Sequence, residues 1–160
     1  MKNRDGLENS NDWQTPGWLY NELDSIYHFD FDPCPYQANF NGLVIQWGKS
    51  NFINPPYDRV NKPLFIEKSI SESEQHRCVL LIPASMGTKH THMLLDLVPR
   101  PNRVTLEEWR EMSVAGRRAA SLMIFPKGRI AFKGYNTNGV WSENQKGKHD
   151  SMIVVLNPGV

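Results

Sequence analysis

Residues 51–85 read NFINPPYDRVNKPLFIEKSISESEQHRCVLLIPAS, and this stretch decides the fold. Phe52-Ile53 is a short apolar run that stops abruptly at Asn54-Pro55-Pro56-Tyr57, because proline has no N–H to give to a strand ladder. Val60, Leu64, Phe65, Ile66 and Ile70 then recur at helical spacing within residues 60–74, and residues 78–82 form a continuous apolar run before Pro83-Ala84-Ser85. Strand, helix and fully buried strand in succession are the pattern of a parallel crossover, so the expectation is an α/β fold.

Upstream, Thr15-Pro16 has the form of an N-cap followed by proline at the first helical position. Trp18, Leu19, Leu23 and Ile26 extend it to a helix over about residues 16–27. Residues 28–32, His-Phe-Asp-Phe-Asp, alternate as a strand does and end at the rigid Pro33-Cys34-Pro35 turn; residues 36–51 predict a loop with a short strand or turn near Leu43–Trp47. Downstream, a helix is expected over 88–97, stopped by Pro99 and Pro101, and Thr105-Leu-Glu-Glu has the form of a capping box opening a helix to about Ala115. Residues 121–125 and 129–132 flank Pro126-Lys127-Gly128 and predict a C-terminal β-hairpin, with a polar loop over 134–149 before a final strand at 152–156.

A chain of 160 residues, 39% hydrophobic and 22% charged, is long enough for one core and too short for two ordinary domains. Residues 1–12 are polar and predict a tail, leaving 13–160 as a single domain with helices on the faces of a sheet. Two cysteines, Cys34 and Cys78, do not make a disulfide framework, and no His or Cys spacing suits a metal, so no metal is expected. With no long apolar segment and no apolar leader, a cytoplasmic protein that makes no membrane contact is expected.

The chemistry is concentrated at Asn54-Pro55-Pro56-Tyr57. An exocyclic amine on a nucleobase is a poor nucleophile because its lone pair is delocalised into the ring. The side-chain oxygen of Asn54 and the carbonyl of Pro55 are two acceptors that could take its hydrogens and localise that lone pair toward an incoming methyl group. The prolines restrict the backbone and hold the acceptors before substrate arrives, and Tyr57 supplies a flat face for stacking a base.

This arrangement resembles the D/N/S-P-P-Y/F/W motif of amino-methyltransferases acting on DNA adenine or cytosine. Trp13-Gln14-Thr15-Pro16 is similar to the T-P element that opens many N6-adenine enzymes, and Phe31-Asp32-Pro33-Cys34-Pro35 is similar to their D-P-x-x-G cofactor loop. With residues 81–84, 125–132 and 151–156 in the same order, the chain resembles the phage DNA N-6-adenine methyltransferase (phage Dam) family over about residues 13–156. The resemblance implies a compact, truncated Rossmann-like fold, S-adenosylmethionine as cofactor, DNA as substrate, and a phage or host-cytoplasmic setting. It implies Asn54, Pro55, Pro56 and Tyr57 as the catalytic loop, and Trp13, Thr15, Pro16, Asp32 and Pro33 around the cofactor.

The chain departs from the family pattern in three respects. The glycine-rich stretch is missing, the first glycine after Asp32 being Gly42, and no acid between Asp32 and Asn54 is available to hold a ribose; that role falls to Asp30 or to a backbone group. Asp58 stands where related chains often have serine.

Net charge is only +1, but Lys127, Arg129, Lys133, Lys146 and Lys148 face a single acid, Glu143, within residues 127–148, with Arg117 and Arg118 upstream. Lys127, Arg129, Lys133 and Trp141 are the expected DNA contacts, alongside the alternatives of a solvated surface and, for Trp141, of an anchor to the core. Trp47 and Trp109 are expected to pack. A monomer or weak dimer is expected. Methylation of RNA adenine, cytosine N4 or protein glutamine stays open, as does a catalytically silent anti-restriction protein that binds DNA or a host factor.

Overall fold

The computed structural model describes residues 14–112, 120–135, 139–146 and 149–159. The expected tail over 1–12, Trp13, Arg117, Arg118 and Lys148 lie outside the described residues. Helix α1 spans Gly17–Tyr27, β1 Ser50–Ile53, α2 Asn61–Glu72, β2 Arg77–Pro83 and α3 Lys89–Leu97. The chain continues through β3 (Arg103–Thr105), α4 (Leu106–Glu111), β4 (Leu122–Phe125), β5 (Ala131–Tyr135), β6 (Trp141–Lys146) and β7 (Ser151–Leu156).

The crossover expected from residues 51–85 is present. β1 and β2 pair in parallel, Ile53 opposite Leu80, with α2 between them in sequence. The sheet is mixed and five-stranded, in the order β1-β2-β7-β4-β3. β7 is the exception to the parallel arrangement: it runs antiparallel to both β2 and β4 and separates them.

Alternation along these strands divides the core in two. Phe52, Val79, Leu81, Leu122, Ile124, Ile153 and Val155 pack with α1 and α4 through Leu19, Leu23, Tyr27 and Trp109. Ile53, Cys78, Leu80, Ile82, Met123, Met152, Val154 and Leu156 pack with α2 and α3 through Phe65, Ile66, Leu94 and Val98. The sheet is therefore buried on both faces, which is why β2 and β7 read as continuous apolar runs. Trp109 and Trp47 pack as expected, their indole N–H groups donating to the Tyr27 hydroxyl and the Gly42 carbonyl.

Several expectations need correction. Thr15 does not cap α1: Pro16 holds the N-cap position, with no side-chain cap bond. The chain arrives extended, Gln14 exchanging both backbone hydrogen bonds with Lys133, so the helix starts only after Pro16. The strand expected at 28–32 is reduced to a parallel bridge between Phe31 and Asn51, flanking β1 and ended by Pro33. Of the two alternatives expected near Leu43–Trp47, the turn is the one formed. The short edge strand β3 was not anticipated, whereas the capping box is present: the Thr105 side chain accepts from the Glu108 amide and Glu108 accepts from the Thr105 amide.

The hairpin also differs from expectation. β4 belongs to the main sheet and does not pair with β5; instead β5 pairs with β6 as a separate two-stranded ribbon, built partly from residues expected to form a polar loop. Gly128, with φ of 78°, turns the chain out of the sheet rather than back along it.

Candidate active site

β1, β2 and β4 share a direction, so the loops that follow them gather at one edge of the sheet, as does the segment leading into the antiparallel β7. The Ala84 amide donates to the Asp150 carbonyl across this edge. Open α/β sheets bind ligands outside the carboxyl ends of their strands, and Asn54-Pro55-Pro56-Tyr57 lies there, directly after β1.

The loop is held from both ends. Asn54 Nδ2 donates to Thr15 Oγ1 at 3.1 Å, which turns the amide oxygen, the acceptor that amine chemistry requires, away from Thr15. Tyr57 donates its hydroxyl to the Leu81 carbonyl at 3.2 Å, and its ring meets Phe132 edge-on, centroids 6.1 Å apart. Burial, with the neighbouring Cys34 thiol, pushes the Tyr57 phenol far above its ordinary range. Tyr57 therefore acts as a neutral, fixed ring. Asp58 accepts from the amides of Val60 and Asn61 and from Asn61 Nδ2. Burial pushes its carboxyl up, but these bonds and the charge of Lys62 outweigh it and hold the group below its ordinary range. Asp58 thus secures the turn from the loop into α2, a role the bare sequence did not disclose.

Beside the loop is a cavity of about 220 Å³ lined by Gln14, Thr15, Tyr20, Asp32, Cys34, Tyr36, Phe52 and Asn54. Its one acid, Asp32, is half-buried and accepts from the Cys34 amide at 2.9 Å. Burial raises its carboxyl to about 6, the Cys34 bond offsetting this only in part. Tyr20 and Phe52, 5.2 Å apart and perpendicular, supply an aromatic wall, and Tyr36 supplies another. The cavity is smaller than the ~300–1,000 Å³ of a pocket that encloses a drug-sized ligand, so a larger ligand would extend beyond it.

The loop over 41–48 supports this cavity from behind. A Cβ on Gly42 would collide with the Pro33 carbonyl, so only glycine allows the two segments to meet. Lys68 Nζ donates to the carbonyls of Leu43 and Ile45 while lying over the Trp47 ring, and so fastens this loop to α2.

Residues 4–159 match the family described as DNA N-6-adenine-methyltransferase (Dam). The chain belongs to the Dam family. No curated protein and no solved structure matches it.

Within this Dam chain the expected site residues separate into those that converge and those that do not. Thr15, Asp32 and Asn54 share the cavity lining. Pro16 and Pro33 are buried beside it, Pro16 accepting the first helical bonds of α1 from Leu19 and Tyr20. Asp30 is absent from the lining: its carboxylate accepts from the amides of Lys49 and Ser50 and straps the approach to β1. Lys127 and Arg129 are exposed at the same sheet edge, Arg129 facing Asp150 at 3.7 Å. Lys133 is half-buried and bonded through its backbone to Gln14.

Gln14, Tyr20, Cys34, Tyr36 and Phe52 are lining residues that the sequence did not single out. Tyr36 had a usable signal, since it directly follows the Pro-Cys-Pro turn after Asp32. Among the described residues no group of three His, Cys, Asp or Glu side chains could hold a metal, and no helix is long and apolar enough to cross a membrane.

Proposed function

We propose that this Dam-family chain transfers a methyl group from S-adenosylmethionine to the N6 amine of adenine in DNA, on a compact Rossmann-like scaffold. The observation that carries this is the bond from Asn54 to Thr15, which joins the Asn-Pro-Pro-Tyr loop to the wall of a cavity containing one half-buried acid. Asn54 Oδ1 and the Pro55 carbonyl would accept the hydrogens of the adenine amine, while Tyr57, fixed by Leu81 and Phe132, would stack the extruded base.

The cavity chemistry fits the cofactor. Asp32 suits the ammonium of its methionine portion, the start of α1 suits the carboxylate, and Tyr20, Phe52 and Tyr36 suit a sulfonium and an aromatic base. When bound, the cofactor supplies an electrophilic methyl group on sulfur. Asn54 and the Pro55 carbonyl would hold the amine ready to take that methyl group directly, with S-adenosylhomocysteine as the leaving group; the amine's proton would pass to solvent because neither acceptor is a competent base. Lys127, Arg129 and Lys133 would meet phosphates.

The test is transfer of labelled methyl to unmethylated duplex DNA, read by nucleoside mass spectrometry, with Asn54→Ala as control. N6-methyladenine from the wild type, reduced about 10²–10³-fold in the variant while S-adenosylhomocysteine still binds, is the expected result. Intact cofactor binding with no product on DNA would redirect the search to RNA or protein acceptors. Loss of both in the wild type would leave a silent binding module.

A further inference from the structure

The β5–β6 ribbon stands apart from the main sheet, yet it meets the site at three points. Phe132 packs on Tyr57, the Lys133 backbone pairs with Gln14, and Trp141 packs on Tyr36. The last contact is the informative one. Tyr36 lines the cavity, its ring centroid is 6.0 Å from that of Trp141 at 65°, and Trp141 in turn lies 5.2 Å from Tyr135, its partner across the ribbon. Both aromatic contacts have the edge-on geometry that ring quadrupoles favour.

Tyr36 is also held by its own backbone. The Ala38 amide closes a turn onto the Pro35 carbonyl, with Gln37 at φ of 53°, a left-handed conformation that residues other than glycine and asparagine rarely take. Such a conformation persists only where the surroundings determine it. Trp141 keeps 37% of its surface exposed while contacting these two rings.

We infer that Trp141 is a positioning residue for the cofactor cavity: through edge-on contact it sets Tyr36 as the wall against which the cofactor's aromatic base rests. This rests on the proposed cofactor reading and differs from a direct role for Trp141 against the duplex. The ribbon thereby becomes part of the cofactor site, and the cavity is complete only when β5 and β6 are paired.

The experiment is calorimetric titration of S-adenosylhomocysteine, without DNA, into wild type, Trp141→Ala, Trp141→Phe, Tyr36→Ala and the Tyr36→Ala/Trp141→Ala double variant, with melting temperature recorded for each. Weakening by about threefold to tenfold in Trp141→Ala, recovery in Trp141→Phe, and no further loss when Trp141→Ala is added to Tyr36→Ala are expected, because the two rings act as one unit. Unchanged affinity in Trp141→Ala, or losses that simply add in the double variant, would overturn the inference and leave the proposed cofactor reading standing. A wild type that binds no S-adenosylhomocysteine would overturn both.

Discussion

Asp32 is the residue whose chemistry reaches furthest, because burial and ligand binding act on it in opposite directions. Its carboxyl titrates near 6 rather than at its ordinary 3.8. Between those values the native state holds a proton that the unfolded chain has released, so stability falls as pH rises through this window and the cost persists above it. An ammonium ligand reverses the preference by favouring the carboxylate. Affinity for S-adenosylhomocysteine is therefore expected to weaken as pH falls below about 6, with proton release on binding near that pH. Asp32→Asn should lose this pH dependence, bind about tenfold to a hundredfold more weakly at pH 8, and melt no lower than wild type there, since it keeps an acceptor for the Cys34 amide without the buried charge. Calorimetry and thermal melting across pH 5–8 measure both effects. Weaker binding together with a lower melting temperature at pH 8 would mean that Asp32 acts through the fold.

Among the elements, the loop over 41–48 supplies a glycine against the turn after Asp32, which has none of its own. Gly42 lies against Pro33, so the close backbone approach is supplied by a second segment rather than by the turn itself. Gly42→Ala is expected to cost about 1–3 kcal/mol in chemical denaturation, as overpacking does, and to weaken cofactor binding because Pro33 and Cys34 must shift. Gly87→Ala, with nothing near its Cβ position, should change neither measurement. The sequence made α1, α2, α3, β1, β2 and β7 legible because their apolar residues recur at helical spacing or in unbroken runs. It misled at the hairpin, where Pro126-Lys127-Gly128 has the composition of a tight turn but joins strands of two different sheets. The Asn-Pro-Pro-Tyr loop was legible because two prolines interrupt a strand. The cavity was not, since Tyr20, Tyr36 and Phe52 lie on three separate segments that only tertiary packing brings together.

For the molecule as a whole, the two cores share one sheet, and β7 contributes to both. Ile153 is fully buried between Leu81 and Ile124 on neighbouring strands. Ile153→Val is expected to cost about 0.5–1.5 kcal/mol and Ile153→Ala about 2–5 kcal/mol in urea unfolding, with a single transition in each case. Separate transitions for the two faces would contradict a shared core. The position of β7 also bears on how the protein is made. β2 and β4 do not pair with each other; the strand that joins them is the last of the described strands to leave the ribosome. Until residues 151–156 emerge, the nascent chain carries two unfinished parallel pairs, β1–β2 and β3–β4, each with an apolar edge open to other chains. Completion of the sheet thus waits on residues 151–156, and the aggregation hazard falls in the interval before β7 closes the gap.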